Sequence, residues 1–124
     1  MKEVLQTIST ALNTAGINYE FGEWSAETVK YPYWIGEYTE IEPMTEDGYR
    51  EIDFILTGTN RGGKLALEND REKIEELFPA IEGSIFKTSN GRLIIFYAGA
   101  LVVPVDDGEL DRLQINLTIK RWKV

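Results

Sequence analysis

The sequence has 124 residues, 43% of them hydrophobic and 27% charged, a composition typical of one ordinary globular domain. It contains no cysteine and no histidine, which excludes disulfides, thiolate ligands and every catalytic or metal site that needs an imidazole. The net charge of −8 argues against a dedicated binder of nucleic acid or anionic membranes. Because no apolar stretch approaches a membrane span and the N-terminal residues do not form a signal peptide, we expect a soluble, cytosolic protein.

The first predicted element is a short amphipathic helix. Apolar residues recur at helical spacing over residues 4–15, and Gly16 is placed to end the helix as a left-handed cap. Residues 17–24 then predict a first strand, with Tyr19 and Phe21 on one face.

Residues 31–63 predict two long antiparallel strands joined by an acidic connection, and we expect the rest of the chain to pack around them. In the second strand Ile52, Phe54 and Leu56 alternate with more polar residues, which indicates a half-buried strand. The first strand is rich in aromatic and β-branched residues. Its alternation slips near Gly36, which predicts a β-bulge there.

The next predicted element is a second helix. Asn69 and Asp70 are capping residues that predict its start, and Pro79 limits it at about Phe78. The pattern does not assign residues 64–68. The apolar stripe of this helix consists of Ile74, Leu77, Phe78 and Ile81.

The remaining residues predict further strands. Asn90 and Gly91 between apolar arms predict a hairpin of residues 84–88 and 92–97. Residues 100–105 continue as a strand, and its Pro104 indicates an edge or a bulge. A turn at 106–108 precedes the clearest alternation in the chain, at residues 113–119.

The order of these elements predicts the fold class. A helix, two or three strands, a second helix and three or four further strands indicate one α+β domain over residues 1–124. We expect a mostly antiparallel β-sheet sandwich flanked by the two helices.

Two segments have candidate chemistry. Residues 58–65 (GTNRGGKL) nearly match a phosphate-binding loop, but Leu65 stands where a Ser or Thr would hold magnesium, so we interpret them as a turn at a strand end. The acidic residues from Glu37 to Asp47 lack the spacing of catalytic or calcium-binding carboxylates. We interpret them as a solvated strand edge and turn, or as a surface that repels DNA. We therefore expect no catalytic site, metal or cofactor.

With these elements in this order, the chain resembles the tail-terminator (tail-completion) proteins of long-tailed bacteriophages. The resemblance covers nearly the whole chain through pattern and length, although residues 84–105 are not matched strand by strand. The features that carry it are the helix ending in Ala15-Gly16, the strand with YPYWIG at 31–36, the long strand at 51–57, the loop at 59–63, the helix at 70–78 and the C-terminal strands.

This resemblance implies a structural virion protein, located in the tail and, during assembly, in the host cytoplasm. Copies form a ring, usually sixfold, on the head-proximal end of the tail tube. The ring stops tube growth and presents a surface to the head-completion or connector protein. DNA passes through without specific binding, which suits an acidic chain, and no membrane is involved. Related head-tail joining and tube proteins fit much of the same pattern.

For such a ring we expect two exposed segments, the acidic connection at residues 40–47 and the loop at residues 60–64, to make subunit or tube contacts. Arg61 and Lys64 of one copy would face carboxylates of the next copy in a head-to-tail contact. The expected interface residues are Glu40, Glu42, Glu46, Asp47, Asn60, Arg61 and Lys64.

Two other function classes remain open at this point. One is an accessory or small-ligand-binding module of α+β fold. The other is a bacterial immunity or inhibitor protein whose acidic surface mimics nucleic acid. Neighbouring genes for portal, connector and tail-tube proteins would favour the virion role, whereas a neighbouring nuclease toxin gene would favour the inhibitor.

Overall fold

The computed structural model describes residues 2–22, 29–42, 49–89 and 91–123. This part of the chain is mixed α+β, as predicted, with two helices and six strands. In chain order the elements are α1 (Lys2–Thr14), β1 (Tyr19–Phe21), β2 (Tyr33–Glu42), β3 (Tyr49–Arg61), α2 (Leu65–Leu77), β4 (Ser84–Thr88), β5 (Gly91–Val103) and β6 (Leu110–Lys123).

The described strands form one curled sheet in the order β1-β2-β3-β6-β5-β4, not the two facing sheets of a sandwich. β1 runs parallel to β2, and all other neighbours are antiparallel. Residues from both helices and from one face of the sheet form a single buried cluster. The helices therefore cover the face that a second sheet would cover in a sandwich.

The amphipathic helix α1 and its glycine cap are confirmed. It buries one stripe of side chains, and its C-terminus is closed by two backbone hydrogen bonds. The Gly16 amide donates to the Asn13 carbonyl at 3.1 Å. The Ile17 amide donates to the Leu12 carbonyl at 2.9 Å. With φ of 81° at Gly16, this is a Schellman motif, in which glycine adopts the left-handed conformation with little strain.

The long antiparallel pair β2–β3 is confirmed, but the predicted bulge at Gly36 is wrong. Gly36 lies in regular register opposite Leu56, and the register shifts only between Glu40 and Glu42. The glycine serves a different purpose, because a Cβ atom at this position would lie 2.6 Å from Cζ of Phe54. Gly36 thus allows the aromatic ring to lie directly against the strand.

The first strand is shorter than predicted. β1 covers Tyr19–Phe21, and residues 23–28 lie outside the described residues. Tyr19 is buried, and burial raises the pKa of its hydroxyl to about 12. Phe21 is 44% exposed and stacks on Tyr38 with ring centroids 6.0 Å apart.

The predicted start of α2 is wrong. The helix begins at Leu65, with Lys64 in the N-cap position and no side-chain capping bond. Asn69 and Asp70 therefore lie inside the helix. Asp70 is buried and accepts a hydrogen bond from a β2 side chain instead of capping the helix.

The C-terminal end of α2 is close to its predicted place. The helix ends at Leu77, just before Pro79, and Ile74 and Phe78 are fully buried as expected. Ile81 was assigned to the same apolar stripe and is instead 93% exposed. It lies beyond the helix, where the helical spacing no longer determines its direction.

The C-terminal strands follow the predicted order. The β4–β5 hairpin is confirmed, with Thr88 opposite Gly91, while Asn90 lies outside the described residues. β5 is a single strand with an irregularity between Tyr97 and Ala100, and Pro104 follows its last residue.

β6 confirms the predicted alternation. It pairs with β3 on one side and β5 on the other, so it lies at the centre of the sheet. The side chains at alternate positions reach the covered face and are at most 5% exposed. These are Leu113, Ile115, Leu117 and Ile119.

Truncation in β6 should separate its two faces. We expect Leu117→Ala to lower the free energy of unfolding by about 2–5 kcal/mol, because it opens a cavity in the shared core. Thr118→Ala, on the other face, should cost less than about 1 kcal/mol. Urea denaturation followed by tryptophan fluorescence measures both. Equal losses would contradict the assignment of the two faces.

Candidate functional site

A buried polar contact links α2 to the sheet. The Trp34 indole nitrogen donates to Oδ2 of Asp70 at 2.9 Å, and the indole is fully buried. The ring lies against Gly58 on β3, where a Cβ atom would come within 2.7 Å of three indole carbons. The contact therefore fixes α2 above β2 and β3, and with it the loop that precedes the helix.

That loop is shorter and more constrained than the sequence indicated. Residues 58–61 belong to β3 and occupy ladder positions opposite β6. Only Gly62 and Gly63, with φ of 100° and 127°, and the N-cap residue Lys64 lie between β3 and α2. The segment is therefore mainly the end of a strand followed by a short turn, in line with its interpretation as a turn at a strand end.

Asn60 was expected on an exposed interface but is only 7% exposed. Its side-chain nitrogen donates to the Gly63 carbonyl at 2.7 Å, which closes the loop from the inside. The prediction failed because β3 runs to Arg61, so Asn60 is a strand residue and not part of the loop.

Arg61 is exposed, as predicted, but its charge is already engaged within the chain. Its guanidinium binds the Glu109 carboxylate and lies 3.7 Å from Oδ2 of Asp107. It also lies 5.9 Å above the Tyr31 ring centroid. A hydrogen bond to the Tyr31 hydroxyl, then the two carboxylates, raise the pKa of Arg61.

Lys64 is the other predicted cation, and it is exposed. Within the described ranges it makes no ion pair, so its charge is available to a partner. Lys64 lines a small cavity together with Val102 and Arg112. A cation thus lies beside the end of β5.

The predicted acidic residues are only partly described. Glu40 and Glu42 belong to β2, on either side of its register shift. Glu46 and Asp47 lie outside the described residues. Glu37, earlier on the same strand, is exposed.

Two stretches of sheet edge have no neighbouring strand among the described residues. β1 pairs with β2 only as far as Gly36, which leaves residues 37–40, here called the acidic half-edge. β4 pairs with β5 only as far as Ile95, and the Tyr97 amide bonds to the Phe78 carbonyl. This leaves residues 100–103, here called the apolar half-edge.

Both half-edges expose large apolar side chains. Tyr38 is 39% exposed on the acidic half-edge, and Leu101 and Val102 are 48% and 57% exposed on the apolar half-edge. Unpaired strand edges with exposed apolar side chains pair readily with other strands. Sequence reasoning missed both half-edges, because the pattern of one strand does not show how far its neighbour extends.

A groove of about 450 Å³ lies between α1 and β4. The Glu3 carboxylate at its rim accepts a hydrogen bond from Ser89 and lies 3.9 Å from the Arg121 guanidinium. The Ser89 hydrogen bond is the main reason that the pKa of Glu3 is lowered. The Glu3 carboxylate is therefore engaged within the chain, and Lys87 is the other charged residue that lines the groove.

In the part of the chain that the structure describes, no three acidic side chains are grouped so that they could hold a metal ion. Neither described helix is long and apolar enough to cross a membrane. In comparisons with known proteins, no family model matches the chain, and no curated protein matches it.

The contact between Trp34 and Asp70 can be tested by changing the acceptor. Asp70→Leu should lower the free energy of unfolding by about 1–3 kcal/mol, because the buried indole N–H loses its acceptor. Asp70→Asn retains a side-chain oxygen and should cost less. Urea denaturation of both variants measures the difference, and equal losses would show that the hydrogen bond does not contribute.

Proposed function

We propose that this protein is a structural subunit of a phage or prophage tail. Copies form a ring on the head-proximal end of the tail tube, where the ring terminates tube growth and provides the surface for head joining. The observation that carries the proposal is the presence of two different half-edges at opposite ends of one sheet. A ring requires two such unlike surfaces on every subunit.

The charge of the chain supports the same role. A net charge of −8 disfavours retention of DNA on the subunit surface, since phosphates and carboxylates repel each other. A ring on the path of the genome benefits from this property. The partners of the proposed subunit are further copies of itself, the tail-tube protein and the head-completion or connector protein.

The role is structural and includes no catalytic turnover. With neither histidine nor cysteine, the chain lacks the commonest general base and the thiol nucleophile. The near match to a phosphate-binding loop adds no support for nucleotide chemistry, because its first half is built into β3.

The charged contact expected from the sequence needs one change. Since Arg61 binds Glu109 and Asp107 of its own chain, Lys64 is the better candidate for a contact with the carboxylates of a neighbouring copy. Such an exposed ion pair is weak and is screened by salt, so it would guide assembly more than it would hold the ring together.

Charge reversal at Lys64 tests this role. Lys64→Glu and the matched control Lys73→Glu both change an exposed lysine beside or on α2, and each should alter the free energy of unfolding by about 0.5 kcal/mol or less. We expect only Lys64→Glu to yield tails of abnormal length or tails that do not join heads. Electron microscopy of lysates from phage carrying each variant measures both properties.

Three results would count against this proposal or one of its parts. Normal tails containing incorporated Lys64→Glu protein would exclude Lys64 from the contact. Deletion of the whole gene with normal tails and normal infectivity would exclude the tail role itself, and recovery of the chain in complex with a nuclease would support the inhibitor class instead.

A further inference from the structure

We propose that the acidic half-edge of one copy pairs with the apolar half-edge of a second copy, so that the sheets of neighbouring copies join into one continuous antiparallel sheet. This inference deepens the proposed function and rests on it for the closure of the ring. The contact itself is argued from the two half-edges. It commits to a second copy of this chain as the occupant of each half-edge.

Strand direction and length suit this pairing. The antiparallel pairs β2–β3, β3–β6 and β6–β5 make β2 and β5 run in opposite directions within one chain. A second copy that continues the sheet in the same orientation therefore brings β5 antiparallel to β2. Each half-edge is a regular run of four residues, 37–40 and 100–103, and each is bounded by a register irregularity.

The two faces of the sheet determine the register. Tyr38 lies opposite the core residue Phe54, and Val102 lies opposite the core residue Leu113, so both occupy the face that the helices cover. Continuity of this face places Tyr38 opposite Val102. A slip of one residue would exchange the two faces and is disfavoured.

The same register pairs the uncovered face and removes exposed apolar surface. Thr39 then lies opposite Leu101, with Tyr38 beside Val102 on the other face. Tyr38, Leu101 and Val102 are large exposed apolar residues of the two half-edges, and in this register each gains a cross-strand neighbour that removes part of its side chain from water. Burial of apolar side chains is the main driving force of association.

Charge complementarity favours the same pairs. Glu37 falls opposite Val103, and Val103 has Arg112 as its neighbour on β6. Lys64 lines the small cavity with Val102 and Arg112, and Glu68, the carboxylate of the same cavity, is already paired with Arg71. Opposite charges therefore meet across the joint. Repulsion between like charges disfavours the alternative in which two acidic half-edges pair with each other.

Among the described residues, the short strands leave both half-edges without a neighbour. β1 lies beside the first part of β2, and β4 lies beside the first part of β5. In the proposed register β1 of one copy falls in line with the end of β5 of the next. β1 and β4 therefore occupy positions beside the joint, and neither pairs with residues 37–40 or 100–103.

The offset between copies is compatible with a closed ring. Within one copy, Gly36 pairs with Leu56, Leu56 with Ile115 and Ile115 with Ala100, so Gly36 and Ala100 lie in the same row across the sheet. The joint instead places Ala100 of the next copy opposite Glu40, about four residues further along β2. Each copy thus advances by about 13 Å along the strands for about 19 Å across its four long strands. This corresponds to a strand tilt of about 35°, as in closed barrels.

Engineered disulfides test the register directly, because the chain has no cysteine of its own. The variant Thr39→Cys with Leu101→Cys should form disulfides between copies on mild oxidation and give a ladder of oligomers on non-reducing gels. Each single variant should stop at a dimer. The matched control, Thr39→Cys with Lys87→Cys, places both thiols on the uncovered face but away from the joint, and should give little beyond dimers.

The outcomes separate this inference from the proposed function. A ladder that appears without any tail defect on gene deletion would support the pairing and exclude the tail role. A tail defect on deletion, with no more ladder from the paired variant than from the control, would overturn the pairing alone. Should the paired variant fail to fold by circular dichroism, Tyr38→Cys with Val102→Cys tests the same register on the covered face.

Discussion

The packing of the Trp34 indole between Gly58 and Asp70 is the constraint on which the rest of the molecule depends. The ring reaches Asp70 only because Gly58 presents no side chain beneath it, and its N–H is satisfied only because Asp70 points inward from α2. A buried donor without an acceptor would destabilise the fold. The contact sets the position of α2 and thereby places Lys64 beside the end of β5. The apolar half-edge has no neighbouring strand among the described residues.

Local pattern was sufficient wherever a segment's own residues decide its structure. The alternation from Leu113 to Ile119 predicted β6, because the two faces of a strand meet different surroundings. The run to Gly16 predicted the end of α1 for a similar reason, since a glycine cap depends only on the last turn of its helix.

Two of the incorrect predictions concern contacts between residues far apart in the chain. Gly36 was interpreted as a bulge, but its role depends on a ring of β3. Asp70 was interpreted as a cap, and its partner lies 36 residues earlier. The parallel pairing of β1 with β2 and the two half-edges depend on where neighbouring strands stop. Periodicity within one segment contains none of this information.

The half-edges connect the fold to assembly, since a strand that outruns its neighbour leaves backbone groups and side chains for another chain. Amide hydrogen exchange, measured by mass spectrometry on dilute protein and on the assembled ring, tests this claim most directly. Exchange should slow in residues 37–40 and 100–103 together, while the outer strand β4 stays unchanged. Unchanged exchange in both half-edges, or slowing in only one of them, would contradict a joint built from the two.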